Sequence, residues 1–139
     1  ADALADILRM LKLPLTVSWT QGAPRRNAQN RLAQRWFTDI ATQLGDQTHE
    51  EVRAQCKLDH GVPILRAENE AFRLSYDDVF GALSYEAKLA AIKAFDLPVT
   101  RLMTIKQMTA FMDDVQRQYS PLVYLTDPEA LKYEMEFMQ

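Results

Sequence analysis

The stretch Gly22–Leu44, GAPRRNAQNRLAQRWFTDIATQL, constrains this chain more than any other. Gly22 and Pro24 break regular structure, and a helical pattern then runs on to Leu44. At about 100° per residue, Leu32, Ala33, Trp36, Phe37, Ile40, Ala41 and Leu44 share one side, and Arg31, Arg35, Thr38 and Thr42 the other. The apolar side must be covered, so the chain needs a core built against this helix. Gln29 and Asn30 fall on the apolar side, one turn before Ala33. An unpaired buried amide costs roughly 1–3 kcal/mol, so both need partners. The spacing allows two kinds: a neighbouring element of the chain, or bases and phosphates held at the helix start.

The same stretch is cationic. Arg25, Arg26, Arg31 and Arg35 precede any acid before Asp39, and no Asp or Glu occurs between Ile7 and Thr38, where Arg9 and Lys12 add two cations. The chain as a whole carries a net charge of −3. A polyanion would therefore be met by a local patch and not by overall charge. The 139 residues suit one domain. A lone cysteine, Cys56, permits no intrachain disulfide and fits a reducing cytosol. No apolar run reaches membrane-spanning length, and the start carries no signal-peptide pattern.

Along the chain, Leu4, Ile7, Leu8 and Leu11 have helical spacing up to Pro14, and Leu15, Val17 and Trp19 alternate as a strand. Gly22 to Arg26 reads as a turn, with Asn27 the better helix cap. Thr48-His49-Glu50-Glu51 is a capping box for a short helix that Gly61 and Pro63 should end. Residues 66–80 read as irregular, with a weak strand-like alternation through Phe72, Leu74 and Tyr76. Ser84 caps a helix, 97–103 has an extended look, and Thr104-Ile105-Lys106-Gln107 is a second capping box. Thr126-Asp127-Pro128-Glu129 opens the last helix. Mostly helices with one to three strands predict an α+β domain.

Catalytic constellations are missing. His49, Cys56 and His60 match no standard zinc spacing, and neither metal nor cofactor is expected. No GxxxxGK[ST], GxGxxG or GxSxG occurs. Asp77-Asp78 and Asp113-Asp114 read as solvated acids, so a nuclease is a minor alternative to a non-enzymatic binder.

Arg25-Arg26-Asn27-Ala28-Gln29-Asn30-Arg31 carries a resemblance. The order of strand, then R-[S/T]-x-x-Q-N-R/K opening a long helix, resembles the NinB (Orf) family of phage recombination proteins, the lambda type. Thr100-Arg101-Leu102-Met103-Thr104, the helix after it and the acid-Pro start of the last helix extend the likeness over Val99–Phe137. Departures are Arg26 at the usual Ser/Thr position, Ser120-Pro121-Leu122-Val123 without the usual Gly, no strand before Ala3, and a poor match over 64–97.

The resemblance implies one domain over 1–139, with 1–44 as its helix-strand-QN part, 64–97 a possible insertion and 98–139 its C-terminal helical part. It implies an α+β fold of the RAGNYA type, a homodimer in the cytoplasm of a bacterial host, and a recombination mediator that binds single-stranded DNA. Such a protein assists a recombinase, annealing protein or single-strand-binding protein. The DNA-contacting residues expected are Arg25, Arg26, Asn27, Gln29, Asn30, Arg31 and Arg35 in the QN helix, joined by Arg101 and Lys106. The competing expectation is a protein–protein adaptor whose arginines meet an acidic partner.

Overall fold

Why the described chain is helical throughout becomes clear from its caps. The computed structural model describes residues 23–137. Among the described residues seven α-helices run in order: α1 Ala23–Leu44, α2 His49–Cys56, α3 Val62–Glu68, α4 Glu70–Phe80, α5 Tyr85–Phe95, α6 Ile105–Tyr119 and α7 Pro128–Phe137. A π turn, Lys57–Gly61, joins α2 to α3, and a 3₁₀ turn, Thr100–Leu102, precedes α6. The described residues contain no strand, which overturns the expected α+β, RAGNYA-like fold with its small sheet. The predicted first helix at 4–11 and strand at 15–19 lie outside the described residues.

Each start has a local cause. Pro24 lies in the first turn of α1, where its missing N–H has no partner to lose, so the helix begins before Asn27 and not at it. Thr48 accepts from the Glu51 amide while Glu51 accepts from the Thr48 amide, and Thr104 and Gln107 repeat the box. Ser84 accepts from the Ala87 amide, and Asn69 from the Phe72 amide.

Two expectations for the middle of the chain are corrected. Gly61 and Pro63 do not end a helix. In a regular α-helix the Pro63 ring would collide with the carbonyl four residues back, that of Asp59. The wider π turn, in which the Val62 amide donates to the Lys57 carbonyl, removes that collision, so α2 and α3 run on without a break. The strand-like alternation at Phe72, Leu74 and Tyr76 is instead helix α4. Phe72, Tyr76 and Phe80, spaced by four, form its buried stripe, with neighbouring rings 5.4 and 5.0 Å apart. The stretch 97–103 holds the 3₁₀ turn in place of an extended segment.

One core joins these elements. Trp36, Phe37 and Ile40 of α1 share it with Phe111, Met112 and Val115 of α6; α2 packs on α1 and α5, and α3 and the π turn pack on α6. Fully burying side chains of this size contributes about 1.5–3 kcal/mol each.

Lys57, in the π turn, is buried, with its ammonium 2.9 Å from an Asp96 carboxylate oxygen and 3.0 Å from the Leu97 carbonyl. Burial pulls the Lys57 pKa down and outweighs the upward pull of Asp96. Asp96, at φ 46 just past α5, is held from the ordinary 3.8 to about 2, first by the Lys57 hydrogen bond and then by Arg53. A carboxylate depressed in the folded state adds stability above its ordinary pKa and loses it as pH falls through the folded value. The stability gap between the native chain and Asp96→Asn should thus narrow between about pH 4 and pH 2, measured by urea midpoints. Asn tolerates the left-handed backbone, so the comparison isolates the charge.

Candidate nucleic-acid interface

The nine expected DNA-contacting residues divide into two groups. At the start of α1, Arg26 reaches across to the chain before α6. Its guanidinium donates to the Arg101 carbonyl at 3.1 Å and to the Met103 carbonyl. Three residues on, Gln29 Nε2 donates to Thr109 Oγ1 at 2.8 Å, and Thr109 in turn donates to the Ile105 carbonyl. Gln29 Oε1 is buried and has no hydrogen-bond partner among the described residues. Arg26 and Gln29 therefore pin the start of α1 against the start of α6.

This contact gathers cations that are far apart in sequence. Arg101 and Lys106 are both exposed, and neither pairs with a carboxylate among the described residues. Lys106 lies in the first turn of α6, where the helix dipole adds positive potential. Asn27 is exposed on the adjoining turn of α1, Asn30 is half-buried, and Arg25 lies in the first turn of that helix. An acid does come near: Gln107 Nε2 donates to Glu68 Oε1 at 3.1 Å.

The second group turns toward α7. Arg35 Nη1 lies 2.8 Å from Glu134 Oε2, and its Nε 3.2 Å from Asp39 Oδ1. The hydrogen bond that it donates to Glu134 is the chief reason its pKa rises above the ordinary arginine value. Arg31 Nε donates to the Asn27 carbonyl at 3.3 Å, and its Nη1 lies 3.7 Å from Met135 Sδ. Arg31 and Arg35, expected to follow one backbone along a free polar face, instead face the last helix, and two carboxylates neutralise Arg35. Spacing could not reveal this, because Glu134 is 99 residues further along the chain. Thr109, the partner of Gln29, is likewise an exposed residue with no distinguishing pattern around it.

Behind these residues the chain is tied down. Asp39 Oδ2 accepts from the Thr126 amide at 2.8 Å and the Thr126 hydroxyl at 2.7 Å, and Trp36 Nε1 donates to the Thr126 carbonyl at 2.8 Å. Gln43 and the Tyr124 backbone exchange two hydrogen bonds, at 2.6 and 2.7 Å. The C-terminal half of α1 thus carries the segment that leads into α7.

Elsewhere, His49, Cys56 and His60 have separate partners: His49 meets Glu50, His60 meets Gln118, and the Cys56 thiol meets Tyr119. Burial pushes the thiol up to about 12, far from a reactive thiolate. Among the described residues no group of His, Cys, Asp and Glu is placed to hold a metal. Asp77, which with Asp78 or the histidines made up the nuclease alternative, is bound through both oxygens by Arg66, at 2.7 and 2.8 Å. No described helix is long and apolar enough to cross a membrane. No family model, curated protein or solved structure matches the chain.

Proposed function

We propose that the chain binds single-stranded DNA without cleaving it, using the corner where α1 and α6 begin. The observation that carries this reading is the convergence of Arg101 and Lys106, exposed and without acid partners among the described residues, on the Arg26 end of the acid-free tract. Cations on such a corner attract a phosphate backbone and read no sequence. The likeness to NinB recombination proteins adds the single-stranded substrate and the role of assisting a recombinase. That likeness rests on the QN stretch and the Thr100–Thr104 segment, since the described fold lacks the family's strands.

Anisotropy of a labelled oligo-dT, titrated at several salt concentrations, tests the reading. Each phosphate contact on a single strand contributes about −0.7 to the slope of log K against log salt. Arg101→Ala with Lys106→Ala should flatten the slope by about 1.4 and weaken all sequences alike. Arg35→Ala, whose charge Asp39 and Glu134 already offset, should change it little. Full-length DNA should survive incubation with Mg²⁺. Absence of binding at about 50 mM salt, where such contacts are strong, rejects the reading.

A second reading, a protein–protein adaptor, is favoured by α7. Tyr133 and Phe137 are exposed with ring centroids 4.5 Å apart, and no residue of that helix is buried. If DNA binding fails, this face is where a protein partner should be sought.

A further inference from the structure

A cleft of ≈ 510 Å³ opens between α3, α4 and α5, within the size range of small-molecule sites. Leu58, Val62 and Pro63 form its apolar wall. Arg66, one turn on from Val62, joins Tyr76, Asp77, Gly81 and Lys88 in completing its lining.

Tyr76 is only 3% exposed and its ring is held between Phe72 and Phe80. Its hydroxyl has no hydrogen-bond partner among the described residues and is not sealed from solvent, so it opens onto the cleft. Burial raises its pKa, which keeps the phenol protonated and able to donate. A buried ring fixed on both sides with a free donor at its tip is a preorganised polar contact.

The charges define what that contact meets. Arg66 donates Nε and Nη2 to the two oxygens of Asp77, so this pair is neutral as a unit and the outer edge of the guanidinium is left open. Lys88 forms no ion pair among the described residues, yet lies close enough for its charge to lower the Asp77 pKa. One cation is thus left uncompensated, which suits a single negative charge, while Asp77 disfavours a second.

We propose that this cleft binds a small organic monoanion, a carboxylate on a compact apolar body. Lys88 and the Tyr76 hydroxyl meet the carboxylate, Arg66 borders it, and Leu58, Val62 and Pro63 cover the apolar part.

Amide NMR titrations of the whole chain with benzoate, benzyl alcohol, benzylammonium and inorganic phosphate separate charge from shape. Benzoate should move the amides of Val62, Arg66, Asp77 and Lys88 and bind at least several-fold tighter than the other three. Lys88→Met should weaken benzoate about tenfold, and Tyr76→Phe about three- to tenfold, at unchanged melting temperature. Lys88→Gln gives a second measure of the charge if the Met variant misfolds. Equal binding of benzyl alcohol, tighter binding of phosphate at the same amides, shifts confined to other regions, or no response to benzoate at all overturns the assignment.

Discussion

Gly61→Ala should be among the most damaging single-methyl additions to this chain, costing about 2–3 kcal/mol and lowering the melting temperature by roughly 6–15 °C. Gly61 sits at the end of the π turn, against Val99 just before the 3₁₀ turn and against α6. A Cβ there would run into Val99 Cγ1, with Met103 Cε at 3.5 Å and Phe111 Cε1 at 3.6 Å behind it. All three are essentially unexposed, and the branched Val99 side chain has little rotamer freedom with which to yield. A core packed to crystal-like density resists even one added methyl group. Trimming the obstacle supplies the control. In the Gly61→Ala background, Val99→Ala should cost clearly less than it does alone, because the two sites touch. A Gly61→Ala chain that melts with the native protein would mean that the π turn stands off from Val99.

Asp39→Ala should cost about 3 kcal/mol, and its main effect should be local. One carboxylate accepts from the Thr126 amide, the Thr126 hydroxyl and Arg35, and Thr126 is itself buried. Without the acceptor, two donors of Thr126 are left in a closed environment, and each unsatisfied buried donor costs roughly 1–3 kcal/mol. Thr126 is the last anchor before α7, a helix with no buried residue of its own. Hydrogen exchange should therefore accelerate over 128–137 well before it does in α6, and protease cleavage should begin there. Asp39→Asn keeps one acceptor oxygen and should fall between the two. Unchanged protection of α7 in Asp39→Ala would assign the anchoring to Trp36, Gln43 and the Arg35–Glu134 pair.

Much of the helical framework could be read from local chemistry. Thr48, Ser84 and Thr104 announce their helices because a hydroxyl placed before an apolar-periodic run satisfies free amides whatever the rest of the chain does. The stripe Ala33, Trp36, Phe37 and Ile40 is buried as its spacing requires.

Reading failed where two periods coincide. Phe72, Leu74 and Tyr76 alternate as a strand would, but Phe72, Tyr76 and Phe80 also repeat every four residues, and Leu74 proves 56% exposed. Gly61 and Pro63 read as a stop because a π turn has no sequence signature that outweighs two helix breakers. The candidate site was legible as charge and illegible as geometry. The run from Arg25 to Arg35 marks a cationic helix, but most of what its arginines meet, the Arg101 and Met103 carbonyls, Met135 and Glu134, lies 75 to 104 positions away.

The continuity of α2 and α3 also limits how this protein can change length. A regular helix advances about 100° per residue, whereas the wide turn at Lys57–Gly61 inserts a different angular step between two rigid rods. Deleting one residue there would close the wide turn to α pitch and leave the two rods in phase, but the Pro63 ring would then meet the carbonyl four residues back. Inserting a further residue would instead turn α3 by about 100° and swing Leu65, which has no exposed surface, away from the interior. Regular α pitch and the Pro63 ring pull in opposite directions at this point. Tolerated insertions and deletions should instead collect at 81–83 and 120–122, exposed connections whose length no buried side chain reads.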